Sequence, residues 1–294
     1  MARTIQAAVE AVTGVPVDAA VPVAGGDLND AFRLTLGDGT TAFAKTSPAA
    51  QPSGFAAEAA GLRWLAEAAG ADLAVPAVLG AGDDVLVLGW VAEGRRTSDF
   101  DERLGRGLAA VHRAGAPAFG ATADDGPTIL GPLVLPNDAA GPRATWGAFH
   151  AACRLEPVAR IAHDRGALPG GTTEALGRLT ARIDELAGPP EPPARIHGDL
   201  WGGNIMAGPA GGPVLIDPAA SGGHRETDLA MLRLFGTVSP AFLAAYEEAR
   251  PLAPGHERRV PLHQVFPLLV HAALFGGGYG ASARRAIDAA LGAG

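Results

Sequence analysis

The chain has 294 residues, 23 basic and 31 acidic side chains, a net charge of −8, and 48% hydrophobic against 18% charged residues. Those values fit a globular protein of one large domain or two lobes and exclude a broad basic nucleic-acid surface. Cys153 is the only cysteine, so no intrachain disulfide can form, and a cytoplasmic setting fits best.

In chain order, a short helix comes first, in a segment (MARTIQAAVEAV) without the continuous apolar run of a signal peptide. Strands follow at 21–24 and 30–36 around the glycine turn Gly25-Gly26, then Gly37-Asp38-Gly39 turns into a strand at 40–46. Pro52 and Ser53 open a helix running to about Ala69, and strands near 76–80 and 84–91 follow. The most apolar region, 73–92, is cut by Pro76, Asp83 and Asp84 and is too broken to span a membrane. From residue 98 the pattern is mostly helical, with helices predicted near 98–114, 145–162, 172–187, 225–235, 239–249, 258–275 and 280–291. Short strands near 194–197, 204–207 and 213–217 interrupt them, and the Gly/Pro-rich stretch 115–144 is longer than an ordinary loop. The division expected is a strand-rich lobe at 1–91 and a helical lobe at 92–294, with a ligand cleft between them.

Lys45 is the only lysine; the other 22 basic residues are arginine. A lysine is a compact point charge on a thin stem, whereas arginine carries a wide planar fork, so a narrow pocket for an anionic oxygen would distinguish them. A chance surface lysine is the bland alternative. On the helix at 52–69, Phe55, Leu62 and Leu65 form an apolar stripe that includes Glu58 and leaves Glu67 on the opposite face. An inward carboxylate needs a cation, and Lys45 is the obvious partner; equally, a shallow alanine stripe would let Glu58 reach solvent.

"RIHGDLWGGNIM", residues 195–206, carries the strongest signal. Asp199 and Asn204 lie five apart on a glycine-rich loop, and thirteen residues later "VLIDP" puts Asp217 at the end of an apolar strand. A carboxylate that takes a hydroxyl proton, followed by an amide oxygen for a metal, is the protein-kinase catalytic-loop arrangement. A hairpin turning at Ala207–Gly212 would aim Asn204 and Asp217 at one Mg²⁺. Asp228 falls early in a helix, as a cap or as a buttress of the catalytic loop. His197 reads as support, and His224 as either a substrate contact or a turn histidine. The strand near 84–91 would lead into a hinge where backbone groups of Leu88 to Val91 could bond adenine, with Trp90 alternatively a core aromatic. Gly25 and Gly26 would cover the nucleotide phosphates.

At these residues the chain resembles the fructosamine kinase (ketosamine 3-kinase) family, related to the aminoglycoside and choline phosphotransferases. The marks are Trp201 in "HGDLWGGN", "GHRETDLAM" from His224 to Met231, "LLVHAALFGGGYG" from Leu268 to Gly280, and, in the first lobe, Lys45 and "FAAEAAGLRWL" with Glu58. The resemblance implies an α+β, protein-kinase-like two-lobed fold with a small antiparallel sheet and a mainly helical second lobe. It implies ATP and Mg²⁺ as cofactors and a sugar-amine adduct as acceptor; charge and hydropathy lead us to expect no nucleic-acid or membrane partner, and a monomer is the expected state. Asp199 then stands as catalytic base, Asn204 and Asp217 as metal ligands, Lys45 and Glu58 as the phosphate-binding pair, and Trp201, His224 and His271 at the sugar end. Departures are Asp27 for a loop Cys, Gly89 for a hinge Glu, Leu135 for Gln and Ala273 for Asn; they bear on the acceptor. The rivals are a phosphotransferase for an aminoglycoside or amino alcohol, a nucleotide-binding pseudokinase, and a metal hydrolase built on His197, Asp199 and His224.

Overall fold

The structure, a computed structural model, describes residues 4–23, 29–47, 54–137, 145–234, 236 and 238–292. The glycine turn Gly25-Gly26, Asp27 and the Pro52-Ser53 helix start lie outside the described residues.

Five antiparallel strands, β1 (Val17–Pro22), β2 (Asp30–Leu36), β3 (Thr41–Thr46), β4 (Val78–Ala81) and β5 (Val85–Gly89), form a sheet in the order β1-β2-β3-β5-β4. Alternation assigns its faces. Val85 and Val87 of β5 pack with Ala42 and Ala44 of β3 against Ala8 and Val9 of α1 (Ile5–Thr13). Leu86 and Leu88 take the other face and meet Phe55, Ala59 and Leu62 of α2 (Phe55–Ala66). Because β5 is covered on both faces, it reads as the unbroken apolar run Val-Leu-Val-Leu and not as an alternating one. The same parity puts Phe43 and Lys45 on the α2 face, with Lys45 in register between Ala31 of β2 and Leu86 of β5.

The tail of α2 belongs to the second lobe. Leu65, Ala69 and Leu73 share a core with Leu104 and Leu108 of α3 (Phe100–Ala114), and with Leu200, Ile205, Phe242 and Tyr246. A fully buried leucine such as Leu65 contributes about 2 kcal/mol. Ala74 adds a backbone tie, accepting from Leu215 N–H (3.0 Å) and donating to Pro213 O (3.0 Å).

Beyond α3 come a small hairpin, β6 (Thr128–Leu130) and β7 (Leu133–Leu135), then α4 (Trp146–His150), a π-helical turn Ala151–Leu155 and α5 (Glu156–Asp164). The remaining helices are α6 (Thr172–Thr180), α7 (Ile183–Leu186), α8 (Glu226–Leu234), α9 (Pro240–Ala249), α10 (His256–Phe275) and α11 (Tyr279–Gly292). The interrupting strands are β8 (Ala194–Ile196), β9 (Ile205–Ala207), β10 (Pro213–Leu215) and β11 (Ser221–Gly223); β9 pairs with β10 and β8 with β11. The stretch 115–144, read from sequence as a long loop, contains the β6–β7 hairpin and is clipped to β11: Gly120 N–H donates to Gly222 O (2.8 Å) and Gly222 N–H to Ala121 O (2.7 Å). A Cβ at Gly222 would lie 2.0 Å from Ala118 O, so only glycine admits that crossing.

Candidate active site

Lys45 is 8% exposed, and its ammonium bridges two carboxylates, Glu58 Oε1 at 2.8 Å and Asp217 Oδ1 at 2.6 Å. Burial pulls its pKa down, but the charges of Glu58 and Asp217 outweigh burial and the net shift is upward. Burial raises the Glu58 carboxyl; Lys45 opposes that and Asp217 reinforces it, leaving Glu58 above its ordinary value. Glu67, on the far face of the helix, is exposed and lies 3.4 Å from Arg195.

The β9–β10 hairpin joins Asn204 to Asp217. Ile205 faces Leu215, and Ile216 N–H donates to Asn204 O (3.1 Å), so the two polar side chains flank one strand end. Asp217 stands at a positive φ of 55°, a conformation rare outside glycine and concentrated at functional sites. Asn204 Nδ2 donates to Asp199 O (2.8 Å) and Asp199 Oδ2 (3.2 Å), which turns its amide oxygen the other way. Burial raises the Asp199 pKa; His197, His271 and Asn204 offset part of that, and the net shift is upward, toward a better proton acceptor at neutral pH.

Asp228 holds this loop from beneath. Its carboxylate accepts from His197 N–H (2.7 Å) and Gly198 N–H (3.0 Å), and lies 3.1 Å from His112 Nε2. His112 Nδ1 in turn sits 2.8 Å from the Tyr246 hydroxyl. Sequence reading missed His112 and Tyr246; the only signal was a histidine on the apolar face of α3 with Leu104 and Leu108. His197 Nε2 donates to Ile216 O (2.9 Å), a support contact that ties the loop to the residue before Asp217. Gly198→Ala is expected to lower the thermal midpoint by several degrees without altering composition elsewhere. Its Cβ would lie 2.2 Å from Ala219 O at a backbone φ of +82°, and such strain alone costs about 1–3 kcal/mol. An unchanged midpoint would mean that the loop relaxes freely.

Of the residues expected from sequence at the sugar end, Trp201 is 41% exposed, and its ring covers Gly203, where an added Cβ would strike it at 2.3 Å. His271, on α10, donates from Nδ1 to Pro267 O (2.8 Å) and neighbours the Phe275 and Tyr279 rings at 5.7 and 4.9 Å. His224 differs from its reading as a substrate contact: it is 4% exposed and enclosed by Trp146 (5.2 Å) and His263 (4.8 Å). Its burial, and the His197 bond to Ile216, leave the hydrolase cluster of His197, Asp199 and His224 unassembled. At the strand end, Leu88 is buried in the sheet core, and Trp90 is half-buried under the Arg33 guanidinium (5.1 Å). Gly89 and Trp90 direct their amides inward, to Ala77 O (2.8 Å) and Thr41 O (3.3 Å). Of the amides between Leu88 and Val91, those of Gly89 and Trp90 are therefore already engaged within the protein.

Below the site, Arg259 forks onto Glu226 at 2.9 and 2.6 Å. Burial pushes the Glu226 carboxyl up, but His263 and Arg259 outweigh burial and bring its pKa to about 2. A depressed folded pKa gives stability that is present above the ordinary value of 4.5 and is lost as pH falls toward 2. Glu226→Gln should therefore melt below the parent at pH 7, with the gap narrowing across that acid window. A gap that stays constant on acidification would refute this linkage.

An aminoglycoside phosphotransferase solved with ADP and hygromycin B shares the architecture, with a TM-score of 0.61 at 16% identity over 99% of each chain, a likeness of fold alone. A strand lysine paired to a helix glutamate, set against the Asp199, Asn204 and Asp217 loop and hairpin, defines a phosphotransferase of the protein-kinase-like fold. The chain belongs to the fructosamine kinase family, whose model matches residues 1–293. It is 35% identical over 295 residues to the "probable ketoamine kinase" of Synechocystis, covering 98% of this chain and 96% of that one. A crystal structure of a candidate fructosamine-3-kinase from Thermobifida fusca is 44% identical, with a TM-score of 0.89 and 99% of both chains covered.

Proposed function

We propose that this chain transfers the γ-phosphoryl group of ATP to a hydroxyl of a sugar-amine adduct, the 3-hydroxyl of a ketosamine. The observation that carries the reading is the Lys45 ammonium held between Glu58 and Asp217, beside a catalytic loop whose Asn204 amide is fixed on Asp199. Asp199 orients the acceptor hydroxyl and accepts its proton as the new oxygen–phosphorus bond forms and the bond to the ADP oxygen breaks. Lys45 holds phosphate oxygens in a site too narrow for a guanidinium.

The amide oxygen of Asn204 and the carboxylate of Asp217 are hard oxygen donors at adjacent positions, a set that fits Mg²⁺. When bound there, Mg²⁺ neutralises phosphate charge. Trp201 and His271 bound the acceptor end and exclude water. The setting inferred is the cytoplasm, as the single buried cysteine suggests; among the described residues no helix is long and apolar enough to cross a membrane.

A phosphate-transfer screen with labelled ATP against glycated amines, free sugars and aminoglycosides tests the reading. Label should appear on the glycated amines, and its appearance on aminoglycosides alone would move the chain to the rival acceptor class.

A further inference from the structure

Arg154 is 5% exposed, and among the described residues none of its hydrogen-bond partners is a carboxylate. Its guanidinium donates to Pro136 O (2.8 Å), Cys153 O (3.0 Å), Thr128 Oγ1 (2.9 Å) and Asn137 Oδ1 (2.8 Å), all neutral oxygens. The Phe149 ring lies beneath it at 4.6 Å. A buried cation without an opposite charge is costly, and burial lowers the Arg154 pKa to about 10. The residue also sits on the π-helical turn Ala151–Leu155, an irregularity that recurs at functional sites.

The surroundings add a polar atom without a partner. Arg154 and His150 line one cavity with Thr128, Leu135, Trp146 and Gly198. The His150 Nε2 is buried without a hydrogen-bond partner among the described residues, and its ring stacks on Trp146 at 4.5 Å. Among the described residues no carboxylate offsets the burial of Arg154, and Glu226 is already matched by Arg259. The cavity measures about 30 Å³, room for one or two water-sized groups and so for a carboxylate head. Gly198 forms part of its wall, one residue before Asp199.

We infer that this cavity is a receptor for a small carboxylate, held by the Arg154 guanidinium and His150 Nε2 against the base of the catalytic loop. The carboxylate can come from a free anion or from the amine half of an acceptor that is a glycated amino acid. The second source rests on the kinase function proposed above; the first does not.

Acetate is the probe. At constant ionic strength it should raise the parent's thermal midpoint saturably, on the order of 5 °C at a hundredfold excess over Kd, whereas chloride and acetamide should not. Arg154→Gln should abolish the response. His150→Phe, which keeps a ring on Trp146, should raise the half-saturating acetate concentration about tenfold; it serves as the test if Arg154→Gln does not fold. Equal responses to acetate, chloride and acetamide, or an acetate response that both variants retain, would overturn the inference.

Turnover then separates the sources. If the acceptor supplies the carboxylate, Arg154→Gln raises KM for the fructose adduct of glycine about tenfold and leaves the methylamine adduct unchanged. If a free anion supplies it, both adducts keep their KM while acetate still binds the parent. Failure of both adducts to accept phosphate would sink the kinase reading and leave the acetate measurement standing.

Discussion

Asp199→Asn is expected to lower turnover by roughly 10²- to 10⁴-fold, the range for loss of a positioned general base, while nucleotide affinity and thermal midpoint stay near those of the parent. The substitution is nearly isosteric and leaves the loop supports in place. Asp228 still accepts from His197 and Gly198, and His197 still reaches Ile216 O. The Asn204 amide keeps its bond to the residue 199 carbonyl, which belongs to the backbone. Only the proton acceptor is gone. The nucleotide contacts proposed for Lys45, Glu58 and Val91 are untouched, so ATP titration monitored by calorimetry should give a similar Kd. Turnover near the parental value would remove Asp199 from the role of base.

Lys45→Arg is expected to give the second large effect, with activity reduced roughly 10²- to 10³-fold, as when a preorganised charge contact is lost. Charge is conserved, so a surface lysine would tolerate the change. Lys45 is instead walled in by Glu58 and Asp217 and by its β2 and β5 neighbours. A guanidinium brings a wider head and fixed donor directions and has to displace one carboxylate to fit. Glu58→Gln keeps the ammonium and loosens it, giving a milder defect of the same kind. The double variant should lose less than the product of the single losses, because the pair acts as one unit. ATP-dependent turnover of the four proteins decides it, and a fully active Lys45→Arg protein would end the phosphate-contact assignment.

The residues of this centre were legible because spacing carries them. Alternation along β3 aims Lys45, the stripe on α2 aims Glu58, and a hairpin of the right length joins Asn204 to Asp217. What spacing does not carry was missed. The strand β11 is Ser-Gly-Gly, with no β-branched residue, and exists because β8 and the crossing chain at Ala118–Ala121 supply its partners. His112 and Tyr246 reach the catalytic loop through Asp228 from α3 and α9, over more than a hundred residues of chain. Arg154 lies in an ordinary helical pattern, and nothing local announces the π-helical turn or the set of neutral partners that the described residues give it. His224 was ambiguous because its enclosure comes from Trp146 and His263 on two other helices.

The two carboxylates around Lys45 also bear on how the protein meets reactive aldehydes and acylating reagents. Such reagents attack an amine in its neutral form. The chain has a single side-chain amine, and that amine is buried, ion-paired and shifted toward the protonated state. Reducing sugars therefore find no exposed lysine side chain on this protein to condense with. Arginine, which replaces lysine elsewhere, carries no primary amine and does not form the Schiff base that a lysine would.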